Sequence, residues 1–285
     1  MSRTGTIGIA QTLDELHSAV DSWREGKLRI ALVPTMGALH AGHLALVREA
    51  RKYADRTVVS IFVNPAQFAP NEDFARYPRN LEHDVQSLEN TGTADLIYAP
   101  SLADIYPEGF ATRIVMDGPA NGLESDFRPH FFSGVATVVA KLFLQCRPDF
   151  AMFGEKDYQQ LLVVRRLSRD LQLGVDIIGV PTVREPDGLA LSSRNDYLSQ
   201  EQRQIAGALN RVLDSVVSRV RMGISIPQAE AEGAAGLISA GFDRVDYVAV
   251  RDADTLAQLR RVTGRARVLA AARIGDVRLI DNKPL

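Results

Sequence analysis

Over roughly its first 180 residues the chain alternates short apolar runs with segments of helical spacing, and few architectures accept that order. Strands are expected at Leu28–Val33, Thr57–Val63, Asp95–Tyr98, Phe150–Phe153 and Val175–Val180, with a further one at Thr112–Met116. Helices are expected over Leu44–Ala54, where Leu44, Val47 and Ala50 share a face, and over Asn80–Glu89, Gly134–Cys146 and Asp157–Leu171. The strand runs are apolar on both faces, which suits a parallel sheet covered by helices. Right-handed crossovers then gather loops at the carboxyl ends of the strands, where such sheets bind ligands.

Beyond Pro181 the texture changes. Helical patterns at Ser199–Arg221 and Pro227–Ala240 precede β-rich runs at Arg244–Val250, Arg267–Ala272 and Val277–Ile280. Helices first and strands later predict a smaller α+β domain. The expected division is 1–182 and 183–285, with a polar, Gly/Pro-broken join from Val183 to Asn195.

Composition narrows the function classes. Hydrophobic residues make up 46% and charged residues 24% of the 285, enough for a proper core. A net charge of −2 supplies no global field for nucleic acid or an anionic membrane. Cys146 is the single cysteine and sits in an apolar run, so a buried core thiol is expected and an internal disulfide is impossible. Met1–Gly5 lacks a signal-peptide core, and no apolar stretch reaches membrane-spanning length; a soluble, cytoplasmic protein is expected.

The strongest local signal is Pro34-Thr35-Met36-Gly37-Ala38-Leu39-His40-Ala41-Gly42-His43, between a strand and a helix. A Gly-bearing turn there frees backbone N–H groups, and the helix N-terminus adds partial positive charge, so a phosphate is favoured. His40 and His43 lie three apart, on one helical face, and two imidazoles can donate to charge that grows on a phosphate. The same spacing also suits half a zinc site, but no ligand-spaced partner group accompanies it, and no protein-held metal is assigned. Neither a G-x-G-x-x-G nor a Walker A sequence is present.

Three further segments follow strands or fall in the join. Phe153-Gly154-Glu155-Lys156-Asp157-Tyr158-Gln159-Gln160 offers a tight turn, a mobile ammonium at Lys156 and an amide at Gln160; for Asp157 a helix N-cap is the plainer reading. Leu191-Ser192-Ser193-Arg194-Asn195 puts two hydroxyls and a guanidinium on a loop that can close over phosphates. Phe62-Val63-Asn64-Pro65-Ala66-Gln67-Phe68 brings two carboxamides, suited to a small polyhydroxy acid, to the sheet edge; a capped Asn-Pro turn is the plainer reading.

The H-x-G-H at His40–His43 resembles the signature that the nucleotidyltransferase superfamily shares with class I aminoacyl-tRNA synthetases, and Leu191–Arg194 is similar to their mobile K-M-S-K-S segment. More narrowly, P-T-M-G-A-L-H-x-G-H, F-V-N-P-x-Q-F, G-E-K-D-Y-Q-Q and L-S-S-R-N, in this order, resemble the pantothenate synthetase family over nearly the whole chain. The resemblance implies a Rossmann-like domain, a smaller C-terminal domain and a homodimer. It implies ATP contacts from Met36, Gly37, Ala38, Leu39, His40, Ala41, Gly42 and His43, from Gly154, Glu155, Lys156 and Asp157, and from Val183, Leu191, Ser192, Ser193 and Arg194. His43 would be the catalytic histidine. Gln67 and Gln160 would hold pantoate, Gln67 would also border β-alanine, and Asn64 and Lys156 match positions important for activity.

Two departures stand out. Many relatives read R-P-x-H-F-x-G-V, whereas here Phe131 takes the histidine position and His130 lies one earlier, so no role is assigned to His130. Many also carry an acidic pair where this chain has His83-Asp84, which leaves a magnesium contact by Asp84 open.

The expected reaction has two steps: pantoate and ATP give pantoyl adenylate and pyrophosphate, and β-alanine then displaces AMP. Mg2+, His40, His43, Lys156 and Arg194 would stabilise the phosphate charge, while the second domain and the 183–195 loop exclude water. The competing readings are another nucleotidyl transferase of the superfamily, a nucleotide-binding regulator, and an RNA-binding protein; no basic patch with interleaved aromatics supports the last.

Overall fold

In the computed structural model of the protein, residues 7–69 and 72–285 are described, and the Met1–Gly5 segment lies outside them. The chain divides into two units. One runs up to Glu155 and takes in Val163–Pro181; the other joins Lys156–Leu162 to Thr182–Leu285.

The first unit is a six-stranded, all-parallel sheet of β1 (Gly8–Ala10), β2 (Ile30–Thr35), β3 (Arg56–Ile61), β4 (Leu96–Tyr98), β5 (Phe150–Gly154) and β6 (Asp176–Val180), in the order β1-β4-β3-β2-β5-β6. Helices α1 (Leu13–Glu25), α2 (Ala41–Ala50), α3 (Leu81–Glu89), α4 (Leu102–Ile105), α5 (Glu124–Phe127), α6 (Phe131–Cys146) and α7 (Tyr158–Asp170) connect the strands. Both faces are covered, which is why β2 reads as an unbroken apolar run: Ile30, Ala31, Leu32 and Val33 are all buried. From β2 the chain moves outward through β3 and β4, then returns to the other side of β2 with β5. That reversal opens a crevice at the carboxyl ends of β2 and β5, the switch point at which such sheets take ligands.

Two elements precede the first expected strand. Thr12 and Glu15 form a capping box that starts α1: the Glu15 N–H donates to Thr12 Oγ1 at 3.2 Å, and the Thr12 N–H donates to Glu15 Oε2 at 3.2 Å. That signal stood in the sequence as Thr-x-x-Glu. Cys146 is buried as expected, and burial pushes its thiol up to about 12.

The strand expected at Thr112–Met116 does not form. The backbone groups of Ile114, at its centre, go to α6 instead: the Ile114 N–H donates to Thr137 Oγ1 at 3.0 Å, and Ser133 Oγ donates to the Ile114 carbonyl at 2.8 Å. With both groups of Ile114 met by side chains, the centre of this β-branched run has no backbone group left for a strand partner.

The second unit packs α8 (Gln200–Ala206), α9 (Ala208–Arg221) and α10 (Ile226–Ser239) on an antiparallel sheet, order β7-β8-β9, of β7 (Arg244–Asp252), β8 (Ala266–Ile274) and β9 (Val277–Pro284). Leu209, Leu213, Val216, Leu237, Phe242, Val250 and Val268 fill its core. The single helix expected over Ser199–Arg221 is broken at Gly207, where a Cβ would stand 2.6 Å from Asp187 Oδ2. The 183–195 join is also more ordered than its composition suggested. The Glu185 N–H donates to the Leu189 carbonyl at 2.8 Å and the Leu191 N–H to the Val183 carbonyl at 3.0 Å, making a small hairpin with Leu189 and Ala190 buried.

Among the described residues no helix is long and apolar enough to cross a membrane.

Gly233 inside α10 marks a close approach. A Cβ there would sit 2.6 Å from Val216 Cγ2 of α9 and 3.1 Å from Val248 Cγ1 of β7. Helix propensity favours alanine by about 1 kcal/mol, but β-branched neighbours cannot rotate away and overpacking costs roughly 1–3 kcal/mol. Gly233→Ala is therefore expected to destabilise the protein by about 1 kcal/mol in urea unfolding; a stabilised variant would contradict this packing.

Candidate active site

The H-x-G-H segment leaves β2 through a strained turn. Gly37 has φ of 81° and Ala38 of 51°, and a non-glycine residue in this left-handed region costs roughly 1–2 kcal/mol. Asp84 of α3 holds the turn in place. Its Oδ2 accepts from the Ala38 N–H at 3.0 Å and its Oδ1 from the Leu39 N–H at 2.8 Å. Thr35 Oγ1 adds a third tie, accepting from the Gly37 N–H at 3.2 Å while donating to the Ser60 carbonyl at 2.8 Å. Position 37 must be glycine for a second reason: a Cβ would meet Asp84 Oδ2 at 2.9 Å.

Asp84 is buried, and that burial raises its carboxyl above the usual carboxylate value against the lowering by the Leu39 and Ala38 amides and His83. Both carboxylate oxygens are engaged by backbone, so its part is to shape the turn. Nothing local announces this role, because the contact spans 46 positions of sequence.

The turn delivers His40 to the N-cap of α2 and His43 to its first turn. The Gly42 N–H donates to His40 Nδ1 at 3.1 Å, and the His40 N–H donates to His43 Nδ1 at 3.4 Å. A backbone N–H can only donate, so each Nδ1 is the acceptor and each neutral ring carries its proton on Nε2. The rings lie 4.1 Å apart, both half-buried. The result is a pair of Nε2–H donors at a helix N-terminus, beside the sheet's switch point.

After β3, which neighbours β2, Asn64 and Gln67 are both buried in the next turn. The Ala66 N–H donates to Asn64 Oδ1 at 3.2 Å, which fixes the Asn64 amide. Its Nδ2 then donates to Gln67 Oε1 at 2.9 Å and to the Gly134 carbonyl at 3.2 Å. Tyr106 Oη donates to the remaining lone pair of Asn64 Oδ1 at 2.8 Å. With its oxygen occupied, Gln67 presents Nε2, a pure donor, for an acceptor such as a carboxylate or hydroxyl. Burial pushes the Tyr106 phenol up to about 12, only partly offset by the Asn64 bond, so it stays a neutral donor. Sequence reasoning missed Tyr106, which no motif contains.

Gly134 and Arg128 complete that turn. A Cβ on Gly134 would fall 2.3 Å from the Ala66 carbonyl oxygen. Arg128 forms a fork with Glu72 at 2.6 and 2.7 Å, donates to the Gln67 carbonyl at 3.0 Å, and stacks 3.9 Å over the Phe131 ring. Phe131, at the position where the resemblance leads one to expect histidine, is thus a platform for Arg128, while His130 is exposed at the start of α6.

Gly154 ends β5 beside β2, and the chain continues into a 3-10 turn, Glu155–Asp157; α7 begins at Tyr158, so Asp157 belongs to that turn and not to the helix. In the second unit, Lys156 Nζ lies 3.6 Å from Asp157 Oδ1, and Gln160 is half-buried on α7. The hairpin brings Val183 beside Leu191, and Ser192 Oγ caps the turn of Ser193 and Arg194 by accepting from the Arg194 N–H at 3.3 Å. Met36, Ala41 and Leu39 line the H-x-G-H segment itself, with Leu39 buried beneath it.

A profile of the family described as pantoate-beta-alanine ligase matches residues 8–284. Among curated proteins, a pantothenate synthetase of a Bradyrhizobium species is 56% identical over 284 residues, covering 99% of both chains. Pantothenate synthetase 2 of Bradyrhizobium diazoefficiens is 57% identical with the same coverage. Among solved structures, a pantothenate synthetase from Thermus thermophilus superposes with a TM-score of 0.91 at 47% identity, over 97% of this chain and 99% of that one. A pantoate-beta-alanine ligase from Francisella tularensis, complexed with beta-gamma ATP and beta-alanine, gives 0.83 at 36% identity over 98% and 97%.

Asp84→Asn tests the turn directly. An amide offers one oxygen, so one of the two N–H groups would face an NH2 and lose its acceptor, at a cost of about 1–3 kcal/mol. The amides of Ala38 and Leu39 should exchange with solvent at least tenfold faster in the variant; protection equal to that of the parent would contradict the assignment.

Proposed function

The chain belongs to the pantoate-beta-alanine ligase family, whose members form pantothenate from pantoate and β-alanine, and from that premise we propose that it drives this condensation with ATP through a pantoyl adenylate. A carboxylate oxygen of pantoate attacks the α-phosphorus, and the bond from that phosphorus to the pyrophosphate bridge breaks. The deprotonated amine of β-alanine then attacks the acyl carbon, the carbonyl–oxygen bond to AMP breaks, and the nitrogen releases a proton to solvent to leave the amide.

One observation carries the reading: neighbouring strands β2 and β3 end in two sets of donors whose polarity the backbone fixes, imidazole Nε2–H groups after one and the Gln67 amide after the other. The first set, with the α2 N-terminus, suits phosphate oxygens bearing growing charge. The second suits an acid's carboxylate or hydroxyl. Asn64 uses all four of its hydrogen-bonding positions within the protein and so acts through Gln67. Lys156, Ser192, Ser193 and Arg194 are assigned to the phosphates, and Gln160 to pantoate, on the motifs they occupy. The ATP and β-alanine of the Francisella complex agree with these two substrates.

The residues present do not build a cage for Mg2+. Asp84, the carboxylate nearest the turn, is committed to two amides, and among the described residues no group of three His, Cys, Asp or Glu side chains could hold a metal. Any magnesium is assigned to the nucleotide's own phosphates, the usual mode for this ion. A homodimer, on the family resemblance, and the cytoplasmic location expected from the sequence complete the proposal.

Under single turnover, pantoate and ATP alone should release one equivalent of pyrophosphate per active site; strict dependence of that release on β-alanine would contradict the adenylate. His43→Ala should slow it by about 10²-fold or more, with parental rates counting against the histidine's role. Gly134→Ala, which forces the Ala66 carbonyl away, should raise KM for pantoate about tenfold or more while leaving KM for ATP within about twofold; equal effects on both would show that the 64–67 turn is not an acid site.

A further inference from the structure

Two adjacent residues near the end of β9, Asp281 and Asn282, are polar and buried in the second unit. They pair with Ala270 and Leu269 of β8, both buried as well. Apolar side chains would fill such positions without the desolvation that a carboxylate and an amide incur. What the polar pair supplies is direction.

Asp281 takes the Arg184 guanidinium in a fork, Nη1 to Oδ2 at 2.6 Å and Nη2 to Oδ1 at 2.9 Å. The same guanidinium donates to the Gly188 carbonyl at 2.9 Å, closing the tip of the 183–191 hairpin. From the hairpin the constraint passes onward: Asn195 Nδ2 donates to the Ala190 carbonyl at 3.1 Å, and Ser192 Oγ caps the Arg194 N–H. Asn282 faces the other loop, its Nδ2 donating to the Lys156 carbonyl at 2.9 Å. One strand therefore holds the main chain of both cationic segments.

We infer that Asp281 and Asn282 are positioning residues that set Lys156 and the Ser192–Arg194 turn in register with each other for the nucleotide phosphates. The inference rests on the proposed reading of those residues as phosphate ligands. Lysine is a point charge on a flexible four-carbon stem, so where its ammonium can reach depends on where its main chain is anchored. A displacement of about 1 Å in such a group is worth as much as 10²-fold in rate.

The geometry also says that the fold survives loss of the Asn282 bond. Tyr158, two residues beyond Lys156, is separately docked: its Oη donates to the Ala253 carbonyl at 2.8 Å, and the Arg267 guanidinium stacks 3.7 Å over its ring. Removing the Asn282 amide loosens the start of the segment and leaves its docking in place.

The test uses the full-length enzyme with Asn282→Ala and the near-isosteric Asn282→Asp, each alone and combined with Lys156→Ala, and varies ATP, pantoate and β-alanine in turn. Each single Asn282 variant should lose about tenfold or more in kcat/KM for ATP, with KM for pantoate and β-alanine within about twofold of the parent. In the Lys156→Ala background the further loss should shrink below about twofold, because the amide acts through that lysine. Losses that multiply in full, folded single variants with parental ATP kinetics, or equal damage to all three substrates would each overturn the positioning role. If Lys156→Ala itself leaves ATP kinetics at parental values, the phosphate assignment falls, a result that is distinct from failure of the coupling.

Discussion

The two hydrogen bonds from the backbone amides of Ala38 and Leu39 to the Asp84 carboxylate are the constraint on which the first unit's site depends. A left-handed Gly37-Ala38 pair is not a conformation that a chain leaving a strand adopts unaided. The carboxylate compensates by accepting from both amides at once, and hydrogen bonds to a charged acceptor are about twice as strong as neutral ones. Once the turn is held, His40 caps α2 with extended backbone, and His43 follows in the helix's first turn.

A common device runs through the site. The His40 and His43 imidazoles and the Asn64 amide are each oriented by a backbone N–H, a group that can only donate. Gly42 and His40 do this for the two histidine rings, and Ala66 does it for Asn64, which passes the polarity on to Gln67. Side chains set in this way need little reorganisation when a charged substrate arrives, and such preorganisation is where most transition-state stabilisation originates. In the second unit the sheet serves the same purpose, with Arg184 and Asn282 carrying its geometry to the loops.

Much of this was legible in the sequence, for reasons that differ by element. The parallel sheet showed because strands buried on both faces, such as Ile30–Val33, leave long apolar runs. The site segments showed because glycine, histidine and amide residues interrupt those runs just after strands. What stayed hidden was tertiary. Asp84 lies 45 positions from Leu39 and Tyr106 lies 42 from Asn64, and no periodicity couples residues at such separations. The missing strand at Thr112–Met116 failed for a related reason: Thr137 and Ser133, on a helix further along, took the two backbone bonds of Ile114 at its centre. The helix expected over Ser199–Arg221 breaks at Gly207, where Asp187, distant in sequence, occupies the space a Cβ would take.

The most direct measurement is the tautomeric state of His40 and His43, read from ring-nitrogen chemical shifts by two-dimensional NMR of the histidine-labelled protein. If the Asp84-held turn orients the rings as described, both neutral imidazoles will carry their proton on Nε2, with Nδ1 unprotonated. Protons on Nδ1 in both rings would mean that the backbone does not aim these donors, and the account of the site would fail.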